Sequence, residues 1–357
     1  MTKNALDDPQ ARERLDPGGM IRCVRELPEQ CQEAWEAAQS LDLPADYRDI
    51  DRIVVMGMGG SAIAGDFWRV LLQRECAVPV FNVRQYDLPP FVDGRTLVVA
   101  SSFSGNTEET LSAFQQALVT PAKKLVIAAG GSLLATARAN GIPFFTYEYR
   151  GEPRSAIGWS LMPLLAVSAN LGLMQNVGAD VREAIATMRS LRTRIGEDVP
   201  TADNPAKLLA QRLHARLPVV YGTGPLAEVA HRWKTQLNES GKVWAFYEEL
   251  PELHHNAIIG YRLPEAIAQA ITVIFLRSED LIHRRVLLRY DFTRRLLDDA
   301  GVDHTEASAE GCSALAQMMS LTYFGDFVSA YLAFLYGVDP TPTTVIDQLK
   351  AWLAQQK

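Results

Sequence analysis

The chain has 357 residues, of which 48% are hydrophobic and 22% charged, and its formal net charge is −7. This composition is typical of a globular protein with a substantial core and excludes an intrinsically disordered chain. The acidic excess argues against a broad nucleic-acid-binding surface, because neutralising nucleic-acid phosphates requires basic residues. The length predicts about two domains.

Targeting and redox signals favour a cytoplasmic protein. The N-terminal segment MTKNALDDPQARERLDPGG is polar and carries acidic residues, so neither a signal peptide nor a transit peptide is expected. The sequence has no run of about 18 apolar residues, so no membrane-spanning helix is expected. The cysteines lack a CxxC spacing, which favours reduced thiols over disulfides or a zinc site; they are Cys23, Cys31, Cys76 and Cys312.

The first half of the chain alternates between short apolar segments and helical patterns. Residues 1–45 predict a helical lead-in, in which apolar residues over 30–41 have helical spacing and Pro44 ends the pattern. Predicted strands then follow at 53–58, 78–83, 97–101, 125–129 and 143–147. This alternation predicts βαβ units and a parallel sheet, and the near-continuous apolar strands fit a sheet that is covered on both faces.

The same pattern restarts in the second half. Helices are predicted at 160–174, 181–195, 314–335 and 344–354, and strands at 217–221, 243–246, 270–276 and 303–306. In both halves a Gly-containing turn follows the first strand and opens a helix. The sequence therefore predicts a duplicated pair of α/β domains after the lead-in at 1–45, with the first domain at 46–195 and the second at 196–357.

The first motif with chemical meaning is GMGGSAIAGD, which starts at Gly57 where the first strand passes into a helix. Glycines let backbone N–H groups approach an anion, and a helix N-terminus attracts negative charge. The motif lacks the GK[ST] of a Walker A loop, and no acidic residue follows the second strand to contact a ribose. An anion site and tight helix–sheet packing both remain open for this motif alone.

The second motif, SSFSGNTEE over residues 101–109, follows the third predicted strand. Ser102, Ser104 and Thr107 surround a glycine turn at another helix N-terminus, where hydroxyls and backbone N–H groups can bind a phosphate without a lysine. An ordinary helix cap, with Thr107 as the capping residue, needs only one hydroxyl. Together with Ser61, the clustered hydroxyls favour a phosphate monoester site.

These two motifs, in this order, resemble the sugar isomerase (SIS) domain, which binds phosphosugars. Later segments are similar to one branch, the bifunctional phosphoglucose/phosphomannose isomerases of archaea and bacteria, over about residues 45–355. Those segments are EPRSA from Glu152, LNE ending at Glu239, His255-Asn256 and the stretch from Gly325 to the end of GVDPTP. The resemblance implies two tandem SIS-type domains, each a flavodoxin-like parallel sheet flanked by helices in three layers. It also implies a cofactor-free isomerase that interconverts glucose 6-phosphate and/or mannose 6-phosphate with fructose 6-phosphate.

The resemblance also implies a set of site residues. Aldose–ketose isomerisation needs a carboxylate to move a proton between C1 and C2, an acid–base group to open the ring, and a cation beside the enediolate oxygen. These roles would belong to Glu239, to His255 from the other subunit of a homodimer, and to Arg154. Lys350 and Thr343 match the remaining C-terminal site positions. Phosphate would be bound by Gly59, Gly60, Ser61, Ser102, Ser104 and Thr107.

Taken without the family, several of these residues have plainer interpretations. Glu239 could be a solvated helix end, Arg154 an interdomain ion pair, and Lys350 a solvated lysine on an amphipathic helix. Adjacent histidines in an extended segment point in opposite directions, so at most one of His254 and His255 is expected to face a site. The family pattern selects His255.

The chain departs from the family pattern around His-Asn, where the preceding segment ELPEL from Glu249 also lacks the Gly-Trp often found in the family, and other functions stay open. An acidic residue usually follows His-Asn in the family, where this chain has Ala257.

No metal site is expected, because the remaining histidines lack acidic or cysteine partners at ligand spacing; they are His214, His231, His283 and His304. The alternatives are a non-catalytic phosphosugar-binding regulator, although no basic helix-turn-helix is visible, and an enzyme acting on a related aminosugar phosphate. An amidotransferase would need an N-terminal cysteine nucleophile, whereas the first cysteine is Cys23.

Overall fold

Two parallel β-sheets organise the computed structural model, which describes residues 6–356. The strands of the first sheet are β1 (Arg52–Met56), β2 (Val80–Val83), β3 (Thr96–Ser102), β4 (Lys123–Ala128) and β5 (Phe144–Phe145). Those of the second are β6 (Leu217–Thr223), β7 (Phe246–Leu250), β8 (Ile271–Arg277) and β9 (Asp303–Ser308). Their orders are β2-β1-β3-β4-β5 and β7-β6-β8-β9, and every neighbouring pair is parallel.

Helices connect these strands and cover both sheets. The N-terminal lead-in and first half contain α1 (Pro9–Leu15), α2 (Met20–Arg25), α3 (Leu27–Ala38), α4 (Gly59–Leu72), α5 (Glu108–Leu118), α6 (Gly131–Ala139), α7 (Ile157–Leu171) and α8 (Val177–Ile195). The second half contains α9 (Pro205–Leu213), α10 (Pro225–Glu239), α11 (Glu265–Ala270), α12 (Arg284–Ala300), α13 (Ala314–Tyr336) and α14 (Thr344–Leu353).

The predicted fold class is confirmed. The first sheet has the 2-1-3-4-5 strand order of flavodoxin-like folds, and the second sheet repeats the first four positions of that order. A shared order in the two halves is what a duplication produces. The domain boundaries at 45 and 195 remain a prediction.

One predicted strand, at 243–246, is wrong: β7 begins at Phe246 and continues to Leu250. Its residues Glu248 and Glu249 interrupt the apolar pattern on which the prediction relied. They fit here because β7 is an edge strand whose side chains are largely outside the core, and charged residues are typical of such edges.

The most buried elements are the central strands and one long helix. All residues of β3 are buried, in agreement with a sheet that is covered on both faces. Contrary to the expectation from composition, α13 is long and apolar enough to cross a membrane, with a mean hydropathy of 1.3 over 18 residues. However, 94% of that window is buried inside the protein, so α13 is the core helix of the second half.

The N-terminal lead-in packs against both halves of the chain. In α3, Gln30 donates a hydrogen bond to the carbonyl of Ser155 (2.9 Å) and accepts one from the backbone N–H of Gly158 (2.7 Å). At the end of α2, the carbonyl of Arg25 accepts a hydrogen bond from the Tyr323 hydroxyl on α13 (2.8 Å). The lead-in therefore bridges the segment before α7 and the core helix.

Candidate active site

The two hydroxyl-bearing loops lie side by side at one edge of the first sheet. Strands β1 and β3 are neighbours; Ser61 lies in the first turn of α4, which follows β1, and Ser102 is the last residue of β3. A Cβ on Gly57 would stand 3.0 Å from the carbonyl oxygen of Ser101, so the two loops pack closely. This is the point where the strand order reverses, which is the usual ligand-binding position of open α/β sheets.

The second loop holds its hydroxyls together without using Thr107 as a helix cap. The Ser102 and Thr107 hydroxyl oxygens are 2.8 Å apart, and the N–H of Gly105 donates to Ser102 Oγ (3.1 Å). The N–H of Asn106 donates to Ser104 Oγ (3.2 Å). Thr107 is the N-cap residue of α5, but its side chain makes no capping hydrogen bond. The first turn of α5 therefore keeps backbone donors that an anion can use.

Gly105 is required by this loop geometry. Its φ of +67° lies in the left-handed region, and a Cβ there would stand 1.8 Å from the carbonyl oxygen of Gly130. The loop after β4 thus presses directly on the hydroxyl loop and fixes its shape.

The first loop also contacts the segment that carries Arg154. A Cβ on Gly60 would stand 2.9 Å from the carbonyl oxygen of Pro153 and 3.4 Å from the Cα of Arg154. The absence of a side chain at Gly60 lets the start of α4 and the 153–154 backbone approach each other. The predicted phosphate loop and the predicted cation are therefore neighbours.

Arg154 is buried, with 3% of the residue exposed, and two carboxylates face its guanidinium. Its Nη1 lies 3.4 Å from Oε2 of Glu152 and 4.0 Å from Oε2 of Glu239. Its Nε donates to Ser240 Oγ (3.1 Å). Burial lowers the pKa of Arg154, and the charges of Glu239 and Glu152 oppose that effect. The structure thus brings together the residues predicted to be the base and the enediolate cation.

A C-terminal segment completes the surroundings of Arg154. Its Nη2 donates to the carbonyl oxygens of Pro340 (2.8 Å) and Thr341 (2.6 Å). Lys242 Nζ donates to the carbonyl oxygens of Glu239 (2.5 Å), Pro340 (3.1 Å) and Pro342 (2.5 Å). Burial lowers the pKa of Lys242, as does the nearby Arg154 charge.

Sequence reasoning assigned no role to three side chains at this centre: Glu152, Ser240 and Lys242. Glu152 begins the EPRSA segment of the resemblance, and Ser240 and Lys242 follow closely on Glu239, so nearness to predicted site residues is the signal that could have found them. Their contacts with Arg154 and with residues 340–342 join distant parts of the chain.

The structure separates the two adjacent histidines. Both ring nitrogens of His254 are used: Nε2 lies 2.7 Å from Thr293 Oγ1, and Nδ1 lies 3.1 Å from Nη1 of Arg289. Burial lowers the pKa of His254, and the nearby charges of Arg289 and His255 lower it further. His255 is exposed at the surface of the single chain. Of the two, His255 is therefore the one available to another molecule.

The structure does not bring the C-terminal lysine into this cluster. Every residue of α14 is exposed, including Lys350, and Thr343 precedes the helix without a capping hydrogen bond. The same helix exposes large apolar side chains, namely Val345, Ile346, Leu349, Trp352 and Leu353. The roles predicted for His255, Lys350 and Thr343 therefore require a contact that a single chain does not make.

The prediction that the remaining histidines lack acidic partners is wrong for two of them: Nε2 of His304 lies 3.0 Å from Oδ1 of Asp298, and His231 lies beside Glu228. Nδ1 of His231 lies 3.8 Å from Oε2 of Glu228, three residues earlier on α10, and ligand atoms of both lie within 4.8 Å of an Asp66 oxygen. Sequence spacing could not reveal Asp66, which is on α4. Arg69 pairs with Glu228 and Arg84 with Asp66, so both carboxylates are already neutralised by arginines. This cluster is an ion-pair network between the two halves.

Comparison with known proteins identifies the class. The sequence model of the bacterial phospho-glucose isomerase C-terminal SIS domain matches residues 202–353. A bifunctional phosphoglucose/phosphomannose isomerase of Caldicellulosiruptor bescii is 41% identical over 340 residues, covering 95% of this chain and 100% of that protein. Another, from Aquifex aeolicus, is 36% identical over 317 residues, covering 88% of this chain and 93% of that protein. A hypothetical protein of Thermus thermophilus has a similar crystal structure, with a TM-score of 0.73 and 18% identity over 94% of this chain and 90% of that chain.

The duplicated flavodoxin-like sheets and the paired hydroxyl loops define a tandem SIS-domain protein. The identities over nearly the whole chain are more specific: the chain belongs to the family of bifunctional phosphoglucose/phosphomannose isomerases. The predicted family is thereby confirmed. The roles of the individual site residues stay predictions.

Proposed function

We propose that this protein is an aldose–ketose isomerase that interconverts glucose 6-phosphate and mannose 6-phosphate with fructose 6-phosphate. The single observation that carries the proposal is the placement of Arg154. Its backbone packs against the phosphate loop at Gly60, and its guanidinium lies 4.0 Å from the carboxylate of Glu239. Membership of the isomerase family supports the same conclusion.

The proposed phosphate site is the pair of loops on β1 and β3. Ser61, Ser102, Ser104 and Thr107 supply hydroxyls there, and the first turns of α4 and α5 supply backbone N–H groups. A dianionic phosphate gains from both helix N-termini. Because the chain has a net charge of −7, binding depends on these local donors and is not helped by the overall field.

The proposed chemistry uses the Arg154–Glu239 pair. Glu239 takes the C2 proton of the open-chain aldose and returns it to C1, while the hydroxyl proton moves from O2 to O1. Arg154 stabilises the negative charge that develops on the enediolate oxygen. In the reverse direction, protonation of either face of C2 gives the gluco or the manno product. One carboxylate serves both aldoses when the enediolate turns about its C2–C3 bond, so that either face of C2 can meet Glu239.

We further propose a homodimer in which each site is completed by the partner chain. His255 would protonate the ring oxygen of the closed sugar bound to the other subunit, which its exposed position supports. The exposed apolar stripe of α14 supports a covering subunit, because an isolated protein rarely leaves so many large apolar side chains in water. That cover would also enclose Lys350 and Thr343. The free cysteines support a reducing, cytoplasmic location.

Incubation with fructose 6-phosphate tests the proposal. We expect both glucose 6-phosphate and mannose 6-phosphate to accumulate without any added cofactor, as resolved by chromatography. Formation of glucose 6-phosphate alone would restrict the substrate range, and formation of neither would favour a non-catalytic phosphosugar-binding protein. Replacing fructose 6-phosphate with its amino analogue tests the aminosugar alternative.

A further inference from the structure

The linker between α13 and α14, residues 337–343, has more backbone hydrogen-bond acceptors than donors. Its sequence is GVDPTPT, and the two prolines have no backbone N–H. Because the linker lies outside the helices and strands, its buried carbonyl oxygens need donors from elsewhere in the protein.

Two cations supply those donors on one side of the linker. Arg154 Nη2 and Lys242 Nζ together bind the carbonyl oxygens of Pro340, Thr341 and Pro342, over distances of 2.5–3.1 Å. The position of the linker and the orientation of the Arg154 guanidinium are thus mutually dependent. Any shift of the linker would move a group that lies 4.0 Å from Glu239.

The N-terminal lead-in contacts the linker from the other side. The Thr341 hydroxyl donates to Oδ1 of Asp16 (3.2 Å). A Cβ on Gly18 would stand 2.5 Å from both Oγ1 and Cγ2 of Thr341, so the lead-in backbone lies directly against this side chain. The backbone of Thr341 is held as well, since its N–H donates to Oδ1 of Asp339 (2.8 Å).

Asp16 is itself held firmly. It is 7% exposed, and its two carboxylate oxygens accept hydrogen bonds from the backbone N–H groups of Met20 and Ile21, each at 2.8 Å. These bonds fix the carboxylate at the start of α2, and α2 in turn is tied to the core helix through Arg25 and Tyr323. The contact with Thr341 therefore joins the linker to a rigid part of the protein.

We propose that the lead-in is a positioning element of the active site: Asp16 and Gly18 hold Thr341, and thereby set the linker against Arg154. This inference rests on the proposed isomerase function. Asp16, Gly18 and Thr341 are positioning residues and do not touch the sugar. Since the linker leads directly into Thr343 and α14, the same contact sets where the C-terminal site residues begin.

Substitutions at the contact test the inference. Thr341→Val removes the hydroxyl at nearly constant shape, Gly18→Ala pushes on Thr341, and Thr341→Ser restores the hydroxyl. Matched controls are Thr120→Val, which loses a hydroxyl bond to the carbonyl of Ala117, and Gly94→Ala, where the nearest atom is 3.8 Å away. We expect kcat to fall about tenfold in Thr341→Val and Gly18→Ala, because small misplacements of a catalytic group are costly. KM and inhibition by inorganic phosphate should stay within about twofold of the wild type, since the phosphate loops are untouched.

A second measurement does not depend on activity. Hydrogen–deuterium exchange over residues 337–353 should become faster in Thr341→Val and Gly18→Ala, and should match the wild type in Thr341→Ser and both controls. Wild-type kcat in the folded variants, or a lower melting temperature with kcat unchanged, would overturn the inference, as would unchanged exchange. If the wild-type protein itself has no isomerase activity, the proposed function fails and the exchange result alone decides the inference.

Discussion

Nη1 of Arg154, which precedes α7, lies 4.0 Å from Oε2 of Glu239, the last residue of α10. The two halves of the chain thus meet at a buried cation and a partly exposed carboxylate. A division of work follows from this contact: the first sheet supplies hydroxyl loops, and the second supplies the carboxylate. The predictions below test that division.

The phosphate loops can be tested through Ser102. Ser102→Ala removes the hydroxyl that contacts Thr107 Oγ1 and accepts from Gly105 N–H. We expect KM for fructose 6-phosphate and the inhibition constant of inorganic phosphate each to rise about tenfold, as for loss of one hydrogen bond to a charged group. The control is Ser112→Ala: Ser112 lies on the helix α5 that follows the second hydroxyl loop, its hydroxyl donates to the carbonyl of Tyr86, and its loss should leave both constants at the wild-type values. If the inhibition constant of phosphate were unchanged in Ser102→Ala, this residue would not be part of the phosphate site.

The shared site can be tested by mixing two inactive proteins. Glu239→Gln and His255→Ala should each be inactive, because each homodimer has two defective sites. A mixed dimer regains one site with Glu239 from one chain and His255 from the other, so equal mixing with subunit exchange should restore roughly a quarter of the wild-type activity. Light scattering should give a mass of twice 39.5 kDa for the wild type. A dimer without restored activity would place His255 and Glu239 of one chain in the same site.

The backbone of Arg154 depends on a buried ion pair. Arg232 Nη2 donates to the carbonyl of Arg154 (3.1 Å) and to Asp326 (2.7 Å), and Asp326 also accepts from Gln236 (2.9 Å). Burial raises the pKa of Asp326, while the charge of Arg232 opposes it. Asp326→Asn should lower the free energy of unfolding by about 3–5 kcal/mol, because it leaves a buried arginine without its counter-ion. Urea denaturation measures this loss. The control is Asp42→Asn, at an exposed position after α3, which should change stability by less than about 0.5 kcal/mol.

The acid dependence of stability can be assigned in part to Asp303. Hydrogen bonds, first from Arg212 and then from Thr272, hold the pKa of Asp303 below its ordinary value of 3.8. A carboxyl with a depressed folded pKa stabilises the protein above its unfolded pKa, and this contribution disappears as the pH falls through the folded value. The stability difference between wild type and Asp303→Asn should therefore be constant near neutral pH and shrink below pH 3.8. A difference that grows on acidification would contradict this assignment.

Local patterns were enough to predict much of the fold. Strands β1 and β3 are buried on both faces, so their apolar runs are clear in the sequence. The strand predicted at 243–246 does not coincide with the edge strand β7, because packing on an exposed edge does not demand apolar residues. The helix predicted at 314–335 is α13, and its burial inside the protein explains why it is apolar enough to meet the criteria for a membrane span.

The site residues also divide into those that local sequence patterns predict and those that only the folded structure brings together. Ser102 and Thr107 are close in sequence, so their cluster at one helix start could be predicted from spacing. The contacts of Arg154 with Glu239 and with the linker carbonyls join distant segments, which spacing does not reveal. Lys242 adds a further obstacle: its φ of 57° is in the left-handed region, which a lysine seldom adopts, and its ammonium is bound by three carbonyl oxygens from two separate segments.

The most direct test of the central claim compares wild type, Glu239→Gln and Glu152→Gln with fructose 6-phosphate as substrate. We expect the wild type to form both aldose phosphates, and Glu239→Gln to lose roughly 10²–10⁴-fold in kcat while phosphate still inhibits the residual activity with an unchanged constant. Glu152→Gln, which removes the other carboxylate facing Arg154, should retain most of the wild-type kcat. Wild-type turnover by Glu239→Gln, or loss of turnover in Glu152→Gln alone, would contradict the assignment of Glu239 as the base.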